Sequence, residues 1–189
     1  AGGGINSSTV VDGFLITKGN ARKAAGIIVN GIFIASESGG GIAIYQSLPQ
    51  ISNCIIYNNK AIDGGGIFIY NSSPKILNCY VIYNYASYDS NNALGGGICN
   101  QLGAPTIVNC TVAGNESVYR AGGIYLKSQA SVINCTLVGN HAEDKGGGIY
   151  FEQSVCKIEN SIIWKNTANG SLNTGGAGNF AAVGASPCV

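Results

Sequence analysis

Apolar and polar positions alternate along most of this chain in runs of three to five residues. In Ile107-Val108-Asn109-Cys110-Thr111-Val112, the pattern turns Ile107, Cys110 and Val112 inward and Val108 and Thr111 outward. In Ile149-Tyr150-Phe151 it turns Ile149 and Phe151 inward and Tyr150 outward. A side-chain period of two marks a half-buried strand, and runs this short present no helical face.

The strands recur at a fixed interval. Asn53-Cys54, Asn78-Cys79, Asn109-Cys110 and Asn134-Cys135 stand 25, 31 and 25 residues apart, with a degenerate fifth copy at Asn160-Ser161. A second Asn follows five residues later each time (Asn59, Asn84, Asn115, Asn140, Asn166), then a glycine cluster and an Ile at Ile67, Ile98, Ile124 and Ile149. A WD-type propeller blade needs ~40 residues and four strands. Units of ~25 residues fit one coil of a parallel β-helix, in which each coil lies on the last at ~4.8 Å, so like stacks on like. The predicted fold is all-β: a single right-handed parallel β-helix of about seven coils, since parallel crossovers are right-handed. Residues 1–42 read as irregular first coils, 43–166 as regular coils with an insertion loop near 85–94, and 167–189 as a cap or tail without strand pattern. The opening AGGGIN suits either a mature end after signal removal or a fragment of a longer repeat protein.

Stacking gives each column a physical meaning. Asn before Cys suits a sharp corner in the left-handed region, and Asn53, Asn78, Asn109, Asn134 and Asn160 are expected to bond amide to amide as a ladder. The second Asn marks the next corner. The glycines mark a turn where a Cβ would clash or φ is positive. Ala61, Ala86, Ala142 and Ala168 read as small inward residues.

Composition narrows the function classes. Only 10% of residues are charged, against about 25% in an average domain. The formal net charge is +1, which gives no electrostatic reason to expect nucleic acid or an anionic membrane, and no apolar run reaches the ~18 residues of a membrane helix. Sparse charge and many Gly, Asn, Ser and Tyr point to an exported, extracellular protein of the cell surface. Sequons make Asn6, Asn71, Asn115 and Asn169 candidate glycosylation sites; Asn109 and Asn134 also sit in sequons, but a ladder position would be inaccessible.

GGGI paired with V-x-G-N resembles the repeats of chlamydial polymorphic outer membrane proteins. TVVDGFLITKGN followed by SSPKILNC and GGGIY is similar to right-handed β-helix repeat proteins of microbial surfaces, in the pectin-lyase-like superfamily. The resemblance covers nearly the whole chain and implies a fold. That fold carries lyases, hydrolases, tailspikes, adhesins and passive layers alike.

Hydrolases of this fold need clustered carboxylates, and the lyases need a base, often beside Ca²⁺-binding acids. The nine acids are scattered: Asp63 and Asp144 read as one column three coils apart, Glu143 and Asp144 as neighbours that diverge. No site is expected to collect two acids and a base, so no catalytic, cofactor-binding or metal residue is assigned. His141, the only histidine, follows a corner Asn and is expected in an exposed turn. Of seven cysteines, Cys54, Cys79, Cys110 and Cys135 read as a buried stack. A Cys156–Cys188 disulfide pinning the tail is open, leaving Cys99 as an exposed thiol for an intermolecular bond. Tyr45, Tyr70, Tyr125, Tyr150 and Phe68 read as an outward aromatic stripe that could serve as plain strand surface, subunit contact or sugar platform.

The expectation is therefore a non-enzymatic structural protein: a self-assembling building block of a surface filament, sheath or layer, or an adhesin segment, associating head to tail with copies of itself. The alternative is a β-helix that binds or cleaves polysaccharide, with cell-surface glycans as partners.

Overall fold

The computed structural model describes residues 6–21, 27–29, 32–34, 37–87, 92–152, 155–169 and 180–183. Four six-stranded sheets, all parallel, run the length of the molecule. One coil passes through all four, for example Gln50–Ser52 in the first sheet, Ile55–Tyr57 in the second, Lys60–Ala61 in the third and Ile67–Tyr70 in the fourth. The next coil repeats this at Lys75–Leu77, Tyr80–Ile82, Tyr85–Ala86 and Ile98–Asn100, in strict register. This is the parallel β-helix that the repeat predicts, with six stacked coils among the described residues where the spacing suggests about seven.

Both ends are more regular than expected. Val10–Asp12, Leu15–Thr17 and Asn20–Ala21 pair with the following coil at an offset of 40 residues, so TVVDGFLITKGN is an ordinary coil. The excess lies between Ala21 and Ser38, where an antiparallel hairpin of Ile27–Val29 and Ile32–Ile34 is inserted. At the other end Thr167–Ala168 pairs with His141–Ala142, and Phe180–Val183 adds the sixth strand to the fourth sheet, beside Ile149–Glu152. The stretch read as a patternless tail therefore completes a coil. FAAV is short and lies between Asn179 and Gly184 in a glycine-rich stretch, which hid it. Part of the insertion loop, at 88–91, lies outside the described residues.

The interior is a set of columns. Ile51, Ile76, Ile107 and Val132 line the first sheet, Ile56, Val81, Val112 and Leu137 the second, and Ile67, Ile98, Ile124 and Ile149 the fourth, all essentially inaccessible. Burying each side chain of this size contributes about 1.5–3 kcal/mol. Ala61, Ala86 and Ala142 fill the narrow third sheet as expected. Cys54, Cys79, Cys110 and Cys135 form a buried column of free thiols. Each thiol donates to the carbonyl two residues back, at 3.1–3.2 Å. Ser161 makes the same bond to Glu159, which explains Ser in the last copy.

Positive φ concentrates at the corners. Asn53, Asn78, Asn109, Asn134 and Asn160 have φ of 47–54°, and Gly13 takes that place in the first coil. Asn58, Tyr83, Gly114 and Gly139 occupy the second corner with φ of 52–64°. Each glycine cluster opens with a left-handed residue such as Gly64 or Gly95. The two glycines that follow are required by space: a Cβ on Gly65 would stand 2.5 Å from the Gly96 carbonyl oxygen, and one on Gly97 would stand 2.7 Å from that of Gly123.

Candidate functional site

The asparagine ladder occupies the column after the one expected. Asn59, Asn84, Asn115, Asn140 and Asn166 are buried, and each Nδ2 donates to the Oδ1 of the next at 2.8–3.0 Å. The same Oδ1 accepts the backbone N–H of the preceding Asn, at 2.9–3.0 Å. Each Nδ2 also donates to a carbonyl of the preceding coil, as Asn115 does to Val81 at 2.8 Å. The Asn before Cys is exposed in every copy. Asn53, Asn78 and Asn109 do exchange amide bonds, at 3.3 Å on the surface. This reverses three sequon assignments: Asn109 and Asn134 are open to solvent, while Asn115 is inaccessible and its amide nitrogen is fully engaged. Asn6, Asn71 and Asn169 are exposed.

The outer face of the fourth sheet holds a second core. Phe68, Cys99, Ala121, Tyr125 and Tyr150 are buried there, with Tyr45 and Leu94 packed against them. Tyr150 faces away from the solenoid interior as the alternation requires, but it does not meet solvent. Cys99 is 0% exposed and burial pushes its thiol well up, so it is not the surface thiol expected. The aromatic stripe divides into two columns. Tyr125 and Tyr150 stack parallel at 5.8 Å on one, while Tyr45 and Tyr70 lie two positions further along their strands.

Above these rings the structure gathers charges that the sequence spacing separates. Arg120 bonds Asp144 through Nε at 3.2 Å, approaches Glu152 at 3.8 Å, and lies between the rings of Tyr119 and Tyr150, 4.4 and 5.0 Å from their centroids. Tyr125 donates its hydroxyl to Glu152 at 2.6 Å, and Lys127 stands 3.9 Å away. Two acids and a strong base do therefore meet, contrary to expectation. Arg120 aligns with Lys145, 25 residues on; Asp63 shares its column with Leu94, Arg120 and Lys145, not with Asp144, because its own turn from Asn59 to Ile67 is one residue shorter than that from Asn140 to Ile149. Burial would lower the Arg120 pKa, but the bond to Asp144, with Tyr150 and Tyr119 beside it, outweighs that and holds the guanidinium charged. Both carboxylates pair with the guanidinium, which makes a clamp over the second core.

Asp63 is the most perturbed acid. Its carboxylate accepts the Leu94 N–H at 3.0 Å, and burial raises its pKa to about 6. Glu143 diverges from Asp144 as expected, accepting from Asn169 at 2.8 Å. His141 opens a short strand of the third sheet, half-buried, with Nδ1 2.8 Å from the Thr167 hydroxyl. Among the described residues no group of three or more His, Cys, Asp or Glu could hold a metal ion. Cys156 is buried and disulfide-bonded, at the position Pro105 holds two coils earlier; Cys188, its expected partner, lies outside the described residues.

Two surface features remain. The outward positions of the second sheet read Leu15, Ile55, Tyr80, Thr111, Thr136 and Ile162 in one column, and Thr17, Tyr57, Ile82, Ala113, Val138 and Trp164 in the other, with no charge among them. Leu15, Ile162 and Trp164 are each at least 60% exposed. Beside this face, at the corner with the third sheet, runs an open groove. One part, of about 330 Å³, is lined by Lys60, Tyr83, Tyr85, Gly114 and Glu116; the adjoining part, of about 270 Å³, by Lys18, Asn20, Asn58 and Lys60. Alternation placed these residues outside but could not show that the second face lacks charge across every coil, because the columns emerge only once the coils are set in register.

Among the described residues no helix is long and apolar enough to cross a membrane. The chain matches no protein-family model, no curated protein and no solved structure.

Proposed function

We propose that this chain is a non-enzymatic, extracellular structural module, a building block of a cell-surface filament, sheath or layer or a segment of an adhesin, of the pectin-lyase-like kind. The observation that carries the reading is the uncharged second-sheet face, with Leu15, Ile55, Tyr80, Ile162 and Trp164 open to water. Apart from Thr17, Thr111 and Thr136 its outward positions are apolar or aromatic, and the largest apolar patch on a monomer, about 300–600 Å², is often functional. Six strands at ~4.8 Å and three residues at ~3.3 Å make a footprint of roughly 300 Å². A stable pairwise interface covers about 800 Å² per partner, so one such contact is weak. Repetition in an array is what makes contacts of this size hold.

The clamp around Arg120 supports a non-catalytic reading, because its carboxylates are committed to internal partners. Sedimentation velocity over a concentration series tests the proposal. The expected result is reversible association that strengthens with concentration and is abolished by Ile55→Lys with Ile162→Lys, both outward positions. A monomer at every concentration, or association indifferent to both substitutions, refutes it. Release of reducing ends or unsaturated products from a polysaccharide panel would refute the non-enzymatic part.

A further inference from the structure

The corner groove carries an inference independent of assembly. Its central feature is Tyr83, an aromatic residue held at φ 52° in a corner where the other coils place Lys, Asn or Gly. The next coil has Gly114 there, and a Cβ on it would stand 2.7 Å from the Tyr83 ring. The ring therefore lies across the glycine. Tyr57 meets it edge-on at 6.1 Å. So braced, Tyr83 is still 63% exposed, a fixed aromatic platform facing water.

Polar groups of both signs flank the platform. Lys60, Tyr85 and Glu116 are successive members of one outward column. Lys60 and Glu116 thus stand two coils, roughly 10 Å, apart. Lys60 lies 5.9 Å from the centre of the Tyr85 ring. Neither charge takes part in a salt bridge among the described residues. The groove continues past Lys60 to Asn20, Asn58 and Lys18.

We propose that this groove is a binding subsite for a saccharide chain of neutral pyranose units, laid along the solenoid axis. One sugar ring stacks on Tyr83, Lys60 donates to a ring or hydroxyl oxygen, and Glu116 accepts from hydroxyls. A flat aromatic ring joined to a few well-placed polar groups is the composition of a site that recognises a molecule with one apolar face and many hydroxyls. The groove is open along its length, which suits a chain better than an enclosed small molecule. A peptide strand finds no unpaired backbone here, because Tyr85 and Glu116 already bond to the coils beside them. Lys18 and Lys60 against Glu116 leave the lining one net positive charge, too little to hold a strongly anionic polymer along its length. The groove residues carry no Arg, and the net charge of +1 gives nucleic acid no field to follow.

The test is an NMR titration of the purified protein, following its tyrosine ring signals, with linear hexasaccharides of β-linked glucose, of N-acetylglucosamine and of galacturonate. At least one neutral chain should bind saturably at millimolar concentration and shift the Tyr83 and Tyr85 signals. Tyr83→Ala should weaken binding about tenfold or more, Tyr83→Phe should retain it, and Glu116→Gln should weaken it severalfold. Tyr70→Ala, an exposed tyrosine on another sheet, should change nothing. Should Tyr83→Ala fail to fold, Lys60→Met and Glu116→Gln, both on exposed side chains, carry the test. Absence of saturable binding overturns the proposal, as does binding of galacturonate alone, or binding unaffected by the groove substitutions. Self-association and saccharide binding are read separately, so either can fail alone.

Discussion

Replacing Asn115 by Ala should destabilise the protein far more than replacing Asn109. Asn115 makes four side-chain bonds. Its Nδ2 donates to Val81 and to Asn140, and its Oδ1 accepts the backbone N–H and the amide of Asn84, all at 2.8–3.0 Å. Truncation leaves the Asn84 N–H and one Asn84 amide hydrogen without partners in a dry interior, and takes a second donor from the Val81 carbonyl, which stays in the parallel ladder. Each orphan costs about 1–3 kcal/mol. Partial relaxation makes the sum smaller than two full penalties, so the expected loss is about 2–4 kcal/mol, which for a chain of this size lowers Tm by roughly 10 °C. Asn109 loses one exposed bond of 3.3 Å. Alanine at its φ of 54° adds about 1–2 kcal/mol of backbone strain, which glycine would avoid. Asn109→Gly should therefore be close to neutral. Asn115→Asp separates hydrogen bonding from volume: its shape is unchanged, but an oxygen replaces the Nδ2 that faces the Val81 and Asn140 oxygens. It should cost at least as much as Asn115→Ala. The assay is thermal and denaturant unfolding of the four variants side by side. A loss at Asn109→Gly equal to that at Asn115→Ala, or a tolerated Asn115→Asp, would refute the buried ladder.

Three further outcomes follow from the same geometry. Gly97→Ala should cost about 1–3 kcal/mol or more, because its Cβ would stand 2.7 Å from the Gly123 carbonyl oxygen and 3.1 Å from the Asn115 amide; an unchanged melting curve would contradict this. Asp63, raised by burial from 3.8 to about 6, keeps its proton where the unfolded chain has released it. Its contribution, at most about 3 kcal/mol, is present below pH ~4 and lost as pH rises through about 6. Asp63→Asn should remove that part of the pH dependence of the denaturant midpoint, and an identical pH profile in the variant would count against it. Native-state thiol labelling should leave Cys54, Cys79, Cys99, Cys110 and Cys135 unmodified until denaturant is added, since all five are buried; rapid labelling of Cys99 would contradict the second core.

The architecture was legible in the sequence because a solenoid repeats its constraints. A 25-residue period, strands of alternating Ile and polar residues, left-handed Asn corners and glycine clusters each follow from local backbone chemistry and from one coil lying on its like. Those features determined the parallel β-helix, the inward Ile columns, the cysteine stack and the small Ala column. Which Asn column is buried was not legible. Both are conformationally suited to corners, and only the path of the coil decides that Asn115 turns in towards the Gly97 column while Asn109 turns out. The sequence likewise marked Tyr150 and Cys99 as facing away from the interior, but not that Leu94, Ala121 and the Arg120 clamp close over them. Arg120, Asp144 and Glu152 are distant along the chain and meet only through stacking, one residue out of the register that the repeats suggest. The platform at Tyr83 depends on a glycine one coil away. Within a coil, distance along the chain fixes the environment. Between coils and on the outer faces it is set by side-chain length, by single-residue insertions and by what happens to lie above, and those are decided only when the coils are stacked.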